Sequence, residues 1–328
     1  MSRVVYTFKP NKAAFDVLSK EGIDYTYFDG NQPDIEWLAK NLKEAEVVVV
    51  PPWQFFTAEH FNLAPKLKLL FVGGSGLDKI DLNEASKRGV CVANAPDAIA
   101  KAVAEHALAL TLAVLRNVVR GDRIVRSGGW GSDTQRLLLA TSIAGKRVGI
   151  IGLGRVGAEV AKLFKALNAE VVYWSRARKT EVEHALDIKY VTLDELLTSS
   201  DVIIVSIALT NETKGLISHR EFSLMKPGAI VINVSRGAVI DEEALIKALS
   251  EGRVRAGLDV YVKEPLPKDS ELTRFDNVVL TPHIAGFTLE ALRDTAIFVA
   301  TEIVNFLTRK SLPYTVVNRD SCVEEKPR

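Results

Sequence analysis

Short runs of β-branched and aliphatic residues recur along the chain, at 4–8, 47–50, 69–72, 148–151, 171–173, 202–207 and 230–234. Each is apolar at nearly every position, with no polar alternation, as expected of a strand covered on both faces. Stretches of helical period separate them, so strand and helix alternate as in parallel sheets with helices on both sides. The pattern predicts an α/β protein. Two longer helical patterns stand apart: an Ala- and Leu-rich one over 101–117 and an amphipathic one over 289–307. The apolar centre of the first, 107–115, is shorter than the ~20 residues of a membrane span. It is expected to be a buried helix, and no membrane partner is expected.

Two of the strands run straight into glycine-rich turns. One is Val72-Gly73-Gly74-Ser75-Gly76 and the other is Gly152-Leu153-Gly154-Arg155-Val156-Gly157. The repeated strand-to-helix turn predicts two similar halves, and 328 residues suit two domains better than one. Residues 1–99 with 288–328 are expected to form one discontinuous domain and 100–287 the other, with the two long helices as hinges. The tail 319–328 is polar and charged and is expected to fray.

Glycines often serve only tight turns, so the second string gains meaning from its setting. It follows the apolar run 147–151 and precedes a helical stretch at 158–166, the context of a dinucleotide site. There Gly152 permits the turn, Gly154 admits a pyrophosphate to the helix N-terminus, and Gly157 lets helix and strand pack closely. An acidic residue about 20 positions on would bond the adenosine ribose. The second strand ends instead in Ser175-Arg176-Ala177-Arg178-Lys179. With no carboxylate to repel it, a 2′-phosphate can take bonds from Ser175 and charge from Arg176 and Arg178, which predicts NADP(H) in preference to NAD(H). A solvated basic loop is the alternative reading of that run.

Composition narrows the classes. Lys and Arg total 42 against 41 Asp and Glu, so no net field exists to hold a phosphate backbone, and nucleic acid is excluded as a partner. Cys91 and Cys322 are far apart and match neither a zinc nor a disulfide spacing. That usage fits a reducing cytoplasm, and the start at 1–8 shows no signal peptide. No metal site is expected.

Three late segments each put polar residues just after an apolar run: 230–237 with Asn233, Ser235 and Arg236, 257–265 with Asp259 and Glu264, and 281–286 with His283. Strand ends line the ligand crevice of a doubly wound sheet. Arg236 offers a planar two-pronged donor for a carboxylate, and His283 a proton near neutral pH. Glu264, if it contacts His283, would stabilise the imidazolium. Taken singly, each has a structural reading: a surface pair, a turn cap, a satisfied histidine.

The four segments in this order resemble the D-isomer-specific 2-hydroxyacid dehydrogenase family, over about 45–318 and most specifically at 225–249 and 257–267. The resemblance implies a Rossmann coenzyme domain inserted into a flavodoxin-like substrate domain, both doubly wound. It implies that Arg236, Glu264 and His283 are catalytic and that Asp259 orients the nicotinamide carboxamide. It also implies that Gly74, Ser75 and Gly76 hold the substrate carboxylate with Arg236. Val103, Arg155, Val156, Ser235 and His283 join the glycines in the implied coenzyme site, and a homodimer built near the helix 101–117 is implied as well.

Within the family, the stretch from Pro51-Pro52-Trp53 to Gly129-Trp130, with Val103-Ala104-Glu105-His106 inside it, is similar to formate dehydrogenases. Those carry Gln where this chain has Glu264 and Asn where it has Ile99. Formate oxidation needs no proton transfer whereas carbonyl reduction does, so the Glu264 and His283 pair favours a keto acid. Phosphite dehydrogenases carry Lys at the position of Ser75. The Ser-Arg ending at 175–176 resembles the NADPH-using glyoxylate and hydroxypyruvate reductases, which makes a small 2-keto acid the expected substrate. D-3-phosphoglycerate and D-lactate dehydrogenases remain open alternatives. So does a coenzyme-sensing corepressor, a binding protein on the same fold.

Overall fold

The computed structural model describes residues 3–30 and 32–321. The chain divides into two compact units, Met1–Ile99 with Phe287–Arg328, and Ala100–Gly286. In the first unit the strands are β1 (Val4–Tyr6), β2 (Tyr25–Tyr27), β3 (Val47–Val50), β4 (Leu69–Val72) and β5 (Cys91–Asn94). All pair in parallel in the order β2-β1-β3-β4-β5. Alternate residues of β3 and β4 enter two different cores: Val47, Val49, Leu69 and Phe71 meet helices Lys12–Lys20 and Leu289–Arg309, while Val48, Val50, Leu70 and Val72 pack with Leu38, Leu42 and Phe61. Burial on both faces is why these runs carry no polar alternate.

The second unit holds β6 (Arg147–Ile151), β7 (Glu170–Trp174), β8 (Lys189–Tyr190), β9 (Val202–Val205), β10 (Ala229–Asn233), β11 (Val254–Leu258) and β12 (Val278–Leu280). They form one parallel sheet in the order β12-β11-β10-β9-β6-β7-β8. The chain reverses its direction of winding between β6 and β9, so the carboxyl ends of those two strands flank a crevice suited to a ligand.

The pattern of apolar runs missed β2, β5, β8, β11 and β12 as strands. β2, β5, β8 and β12 are sheet edges of two to four residues, β2 and β8 only partly buried, and the interior β11 is interrupted by Arg255 and Gly257, so none carries a long apolar run.

The Ala-rich helix is Pro96–Leu115, starting five residues before the expected 101 with Pro96 at its first position. At 20 residues it is long and apolar enough, by length and composition, to cross a membrane, unlike the shorter stretch read from sequence. In this fold half of that apolar window is buried, and the helix packs on β11. A Cβ added to Gly257 would stand 3.1 Å from Leu110 Cβ, so the missing side chain lets the helix sit close.

The cysteine expectation needs correction: Cys91 is disulfide-bonded, while Cys322 lies outside the described residues. Distance along the chain misled, because Val317 and Asn318 run beside β5, bonding Val92 O and Val92 N–H at 2.9 and 2.8 Å. Of the tail, Arg319–Ser321 forms a short 3-10 turn and 322–328 lie outside the described residues.

Candidate active site

The turn after β6 requires glycine at two positions and leaves room at a third. Gly152 has φ +99°, and a Cβ there would lie 2.6 Å from the Ile207 backbone beyond β9. A Cβ on Gly157 would lie 2.2 Å from Gly152 O. Gly154 differs, since a Cβ there would meet nothing within 4 Å. It is the N-cap of the helix Arg155–Ala166, and no side chain caps that helix. Uncapped first-turn N–H groups, the helix dipole and the space above Gly154 together fit a pyrophosphate. Arg155 and Val156 open that helix, while Val103 is buried in Pro96–Leu115. The residues present therefore fit a dinucleotide.

The basic run after β7 is divided in its work. Ser175 is mostly buried and donates its hydroxyl to Ala177 O at 2.7 Å. Arg176 is more exposed, paired with Glu212 and 3.4 Å from Thr210 Oγ1. Arg178, expected to lend charge to a phosphate, is drawn to Glu183, with Nε and Nη2 donating at 2.8 and 2.7 Å. Tyr173 OH adds a third bond to Glu183 at 3.0 Å. The Arg178 guanidinium, aided by Tyr173, outweighs burial and holds the Glu183 carboxyl at about 2. Arg178 thus braces the turn, and Arg176 is the cation at its outer edge.

Arg236, Glu264 and His283 follow the ends of β10, β11 and β12 respectively. Asn233, the buried last residue of β10, shapes the first turn: its Nδ2 donates to Arg236 O at 3.0 Å and its Oδ1 accepts from Ser235 N–H at 3.1 Å and Ser235 Oγ at 2.9 Å. Gly237 lies flat on the next loop, since a Cβ there would stand 1.9 Å from Tyr261 C and 2.3 Å from Val262 N. Arg236 Nη1 donates to Ser235 O at 2.8 Å.

Glu264 is held at both oxygens. Oε1 accepts from Tyr261 N–H at 3.0 Å and Oε2 meets His283 Nδ1 at 2.7 Å. Burial pushes the Glu264 carboxyl up. The bonds from His283 and Tyr261 N–H, with the charges of His283 and Arg236, outweigh it and leave it below its ordinary value. An ionised Glu264 accepts a hydrogen bond from Nδ1–H, which leaves Nε2 as the working edge of the ring.

Asp259, assigned by resemblance to the carboxamide, is fully buried. Its Oδ1 accepts from Thr281 Oγ1 at 2.6 Å and Ile284 N–H at 2.9 Å, and its Oδ2 from Ala285 N–H at 2.9 Å. His106 Nε2 lies 3.4 Å from Oδ1. Burial pushes this carboxyl up, but these bonds outweigh it and keep it below the ordinary aspartate value. Gly74, Ser75 and Gly76 belong to the other unit, where Ala95 N–H and Asn94 Nδ2 take the carbonyls of Gly74 and Ser75 at 2.8 and 2.7 Å.

Sequence reading missed the parts played by Asn233, Gly237, Tyr261, Thr281 and His106. Asn233 and Gly237 carried a usable signal, a polar residue closing an apolar strand and a glycine directly after the arginine. Among the described residues no group of three or more His, Cys, Asp or Glu could hold a metal ion.

The family model for the NAD-binding domain of D-isomer-specific 2-hydroxyacid dehydrogenases matches residues 108–285, more than half of the chain. The chain belongs to the D-isomer-specific 2-hydroxyacid dehydrogenases. It is an NAD(P)-dependent oxidoreductase of two parallel-sheet domains. Over 305 residues it is 42% identical to a glyoxylate reductase of Pyrococcus horikoshii, covering 91% of each chain. It is 41% identical to a D-3-phosphoglycerate dehydrogenase of Archaeoglobus fulgidus over 90% of this dehydrogenase and 56% of that protein. Among solved structures, an acyclic imino acid reductase in complex with NADPH and D-Arg superposes with a TM-score of 0.86 at 30% identity, covering 96% of this chain and 99% of that one.

Proposed function

We propose that this dehydrogenase reduces a small 2-keto acid of the glyoxylate or hydroxypyruvate kind to the D-2-hydroxy acid, with NADPH preferred over NADH. The observation that carries the reading is the 2.7 Å contact between His283 Nδ1 and Glu264 Oε2. A proton donor is what carbonyl reduction needs and formate oxidation does not. Identity to glyoxylate reductases supports the choice of acid.

A reduced coenzyme held at the glycine turn after β6 would supply the hydride for the carbonyl carbon. His283 gives the carbonyl oxygen its proton from Nε2, and Glu264 holds the resulting neutral ring by its Nδ1–H until solvent restores the proton. Arg236 grips the substrate with its two-pronged guanidinium, so Arg236→Lys, a point charge, loses most of kcat/KM. The N–H groups of Ser75 and Gly76 are assigned the carboxylate. Gly152, Gly154 and Gly157, with Arg155 and Val156, take the pyrophosphate, and Val103, Ser235 and Asp259 belong to the nicotinamide end. Ser175 and Arg176 receive the 2′-phosphate while Arg178 supports their turn.

The partner is a second copy of the chain. The helices Val118–Arg126 and Ser132–Leu137 have no buried residue and expose Val118, Val125 and Leu137, and the turns beside them expose Trp130 at 81% and Leu139 at 85%, apolar surface that a second copy can cover. Light scattering on the purified protein tests this: the mass is that of two chains, and a single-chain mass refutes it.

Assaying glyoxylate, hydroxypyruvate, pyruvate and 3-phosphohydroxypyruvate with each reduced coenzyme, and formate with each oxidised one, tests the function. Glyoxylate or hydroxypyruvate with NADPH gives the highest kcat/KM. Fastest turnover on the phosphorylated acid or on formate refutes the substrate, and coenzyme binding without turnover of any acid favours a sensor. His283→Ala lowers kcat by ~10²–10⁴-fold; parental turnover would remove it as the donor.

A further inference from the structure

His283 stands in the left-handed region, with φ +56°. For a residue with a Cβ that conformation is unfavourable and persists only where the surroundings enforce it. The enforcement is visible. His283 N–H turns back to Thr281 O at 3.1 Å, and the next two amides, Ile284 and Ala285, both donate to the buried Asp259 carboxylate at 2.9 Å. Tyr261 OH holds Thr281 O from the other side at 2.9 Å. The aspartate is thus a clamp on the backbone immediately after the imidazole.

Two side chains orient that clamp. Thr281 Oγ1 donates its only proton to Asp259 Oδ1 at 2.6 Å. In its 2.9 Å contact with His106 Nε2 the hydroxyl is therefore the acceptor, and Nε2 of His106 must carry a hydrogen. The result is a directed network in which His106 Nε2 reaches Thr281 Oγ1 at 2.9 Å and Asp259 Oδ1 at 3.4 Å, linking the helix Pro96–Leu115 to the turn after β12. A buried carboxylate free to rotate would satisfy one amide of the pair and leave the other donor without its partner.

We infer that His106 and Thr281 are positioning residues for the reaction: through Asp259 they clamp the Ile284 and Ala285 amides and so aim the His283 ring at Glu264 and the substrate carbonyl. The inference rests on His283 being the proton donor. The contacts of His106 and Thr281 run to each other and to Asp259, which makes both act through it. What they control is the angle of a ring on a strained turn, and a misplacement of ~1 Å at a catalytic group is worth about 10²-fold.

The test compares Thr281→Val with Thr281→Ser and His106→Leu with His106→Gln, which keep shape or keep the hydrogen-bonding group. Thr281→Val and His106→Leu lower kcat by about 10- to 100-fold with the keto-acid KM within about twofold. Thr281→Ser and His106→Gln recover kcat to within about threefold of the parent. Because His106 Nε2 also lies 3.4 Å from Asp259 Oδ1, the two links act partly in parallel, and the double variant Thr281→Val with His106→Leu loses more than either single one.

Hydrogen–deuterium exchange of the segment 281–287, followed without coenzyme by mass spectrometry, is the second readout. It speeds up in the apolar variants and returns to parental rates in the conservative ones. Parental kcat in the apolar variants, unchanged exchange, or a loss in KM alone would each overturn the inference. If His283→Ala proves active, the donor assignment fails by that measurement alone. The clamp is then judged by exchange, so the two failures are told apart.

Discussion

Replacing Gly237 by alanine isolates the packing that brings Arg236 and Glu264 together. The added Cβ would stand 1.9 Å from Tyr261 C, 2.3 Å from Tyr261 O and 2.3 Å from Val262 N. Carbon atoms pack no closer than ~3.5 Å without repulsion, so one loop must retreat by roughly 1.6 Å. All three neighbours are backbone atoms, which no rotamer change can move aside. Tyr261 N–H also holds Glu264 Oε1 at 3.0 Å, so a retreat of this loop carries Glu264 with it and alters its angle to His283. Overpacking typically costs 1–3 kcal/mol. With no soft neighbour the upper end, about 3 kcal/mol, is expected, a drop in Tm of roughly 6–12 °C. A shift of more than ~1 Å at the catalytic groups lowers kcat by about 10²-fold or more. Melting curves and keto-acid-dependent NADPH oxidation measure both. Coenzyme titration by fluorescence separates a loss of binding at the nicotinamide end, where Ser235 of the same turn is assigned, from a loss confined to kcat. A Gly237→Ala protein with parental Tm and parental kcat would refute the argument that this glycine seats one catalytic loop on the next.

Three further outcomes follow from the same structure. Gly154→Ala puts its methyl group into open space, so Tm stays within a degree or two while the Kd for NADPH rises about tenfold or more, about 1.4 kcal/mol per decade; unchanged affinity by calorimetry would argue against a pyrophosphate there. Ser175→Asp places a carboxylate where the 2′-phosphate is assigned and shifts the ratio of kcat/KM values toward NADH, and an unchanged ratio would count against the NADPH preference. Glu183 is held at about 2 against an ordinary 4.5. Its folded pKa is depressed, so its contribution is present above pH 4.5 and is lost as pH falls towards 2. Glu183→Gln should flatten the fall of Tm across that window, and a parental slope would show that the Arg178 pair plays no part in acid unfolding.

Much of the fold was readable from local pattern. Doubly apolar runs such as 47–50 and 69–72 have to lie inside a covered sheet, because every side chain on both faces must leave water. The string from Gly152 to Gly157 marks a helix start by steric demands that act over six residues. Arg236, Glu264 and His283 stood out because each follows an apolar run by a few positions. These are local constraints, and a linear chain records local constraints directly.

Only the tertiary structure decided the rest. His106, Asp259 and Thr281 are separated by as many as 175 positions, and no periodicity at one of them announces the other two. Arg178 and Glu183 are near in sequence, yet the choice between a phosphate and a carboxylate depends on which lies within reach of the folded turn. Cys91 was misread from its isolation along the chain, since the returning segment at 317–318 brings remote residues beside β5. Burial and hydrogen-bond geometry are properties of assembled surfaces. They exist only once distant segments share a core, and that sharing turns a set of suitable residue types into a site with a direction.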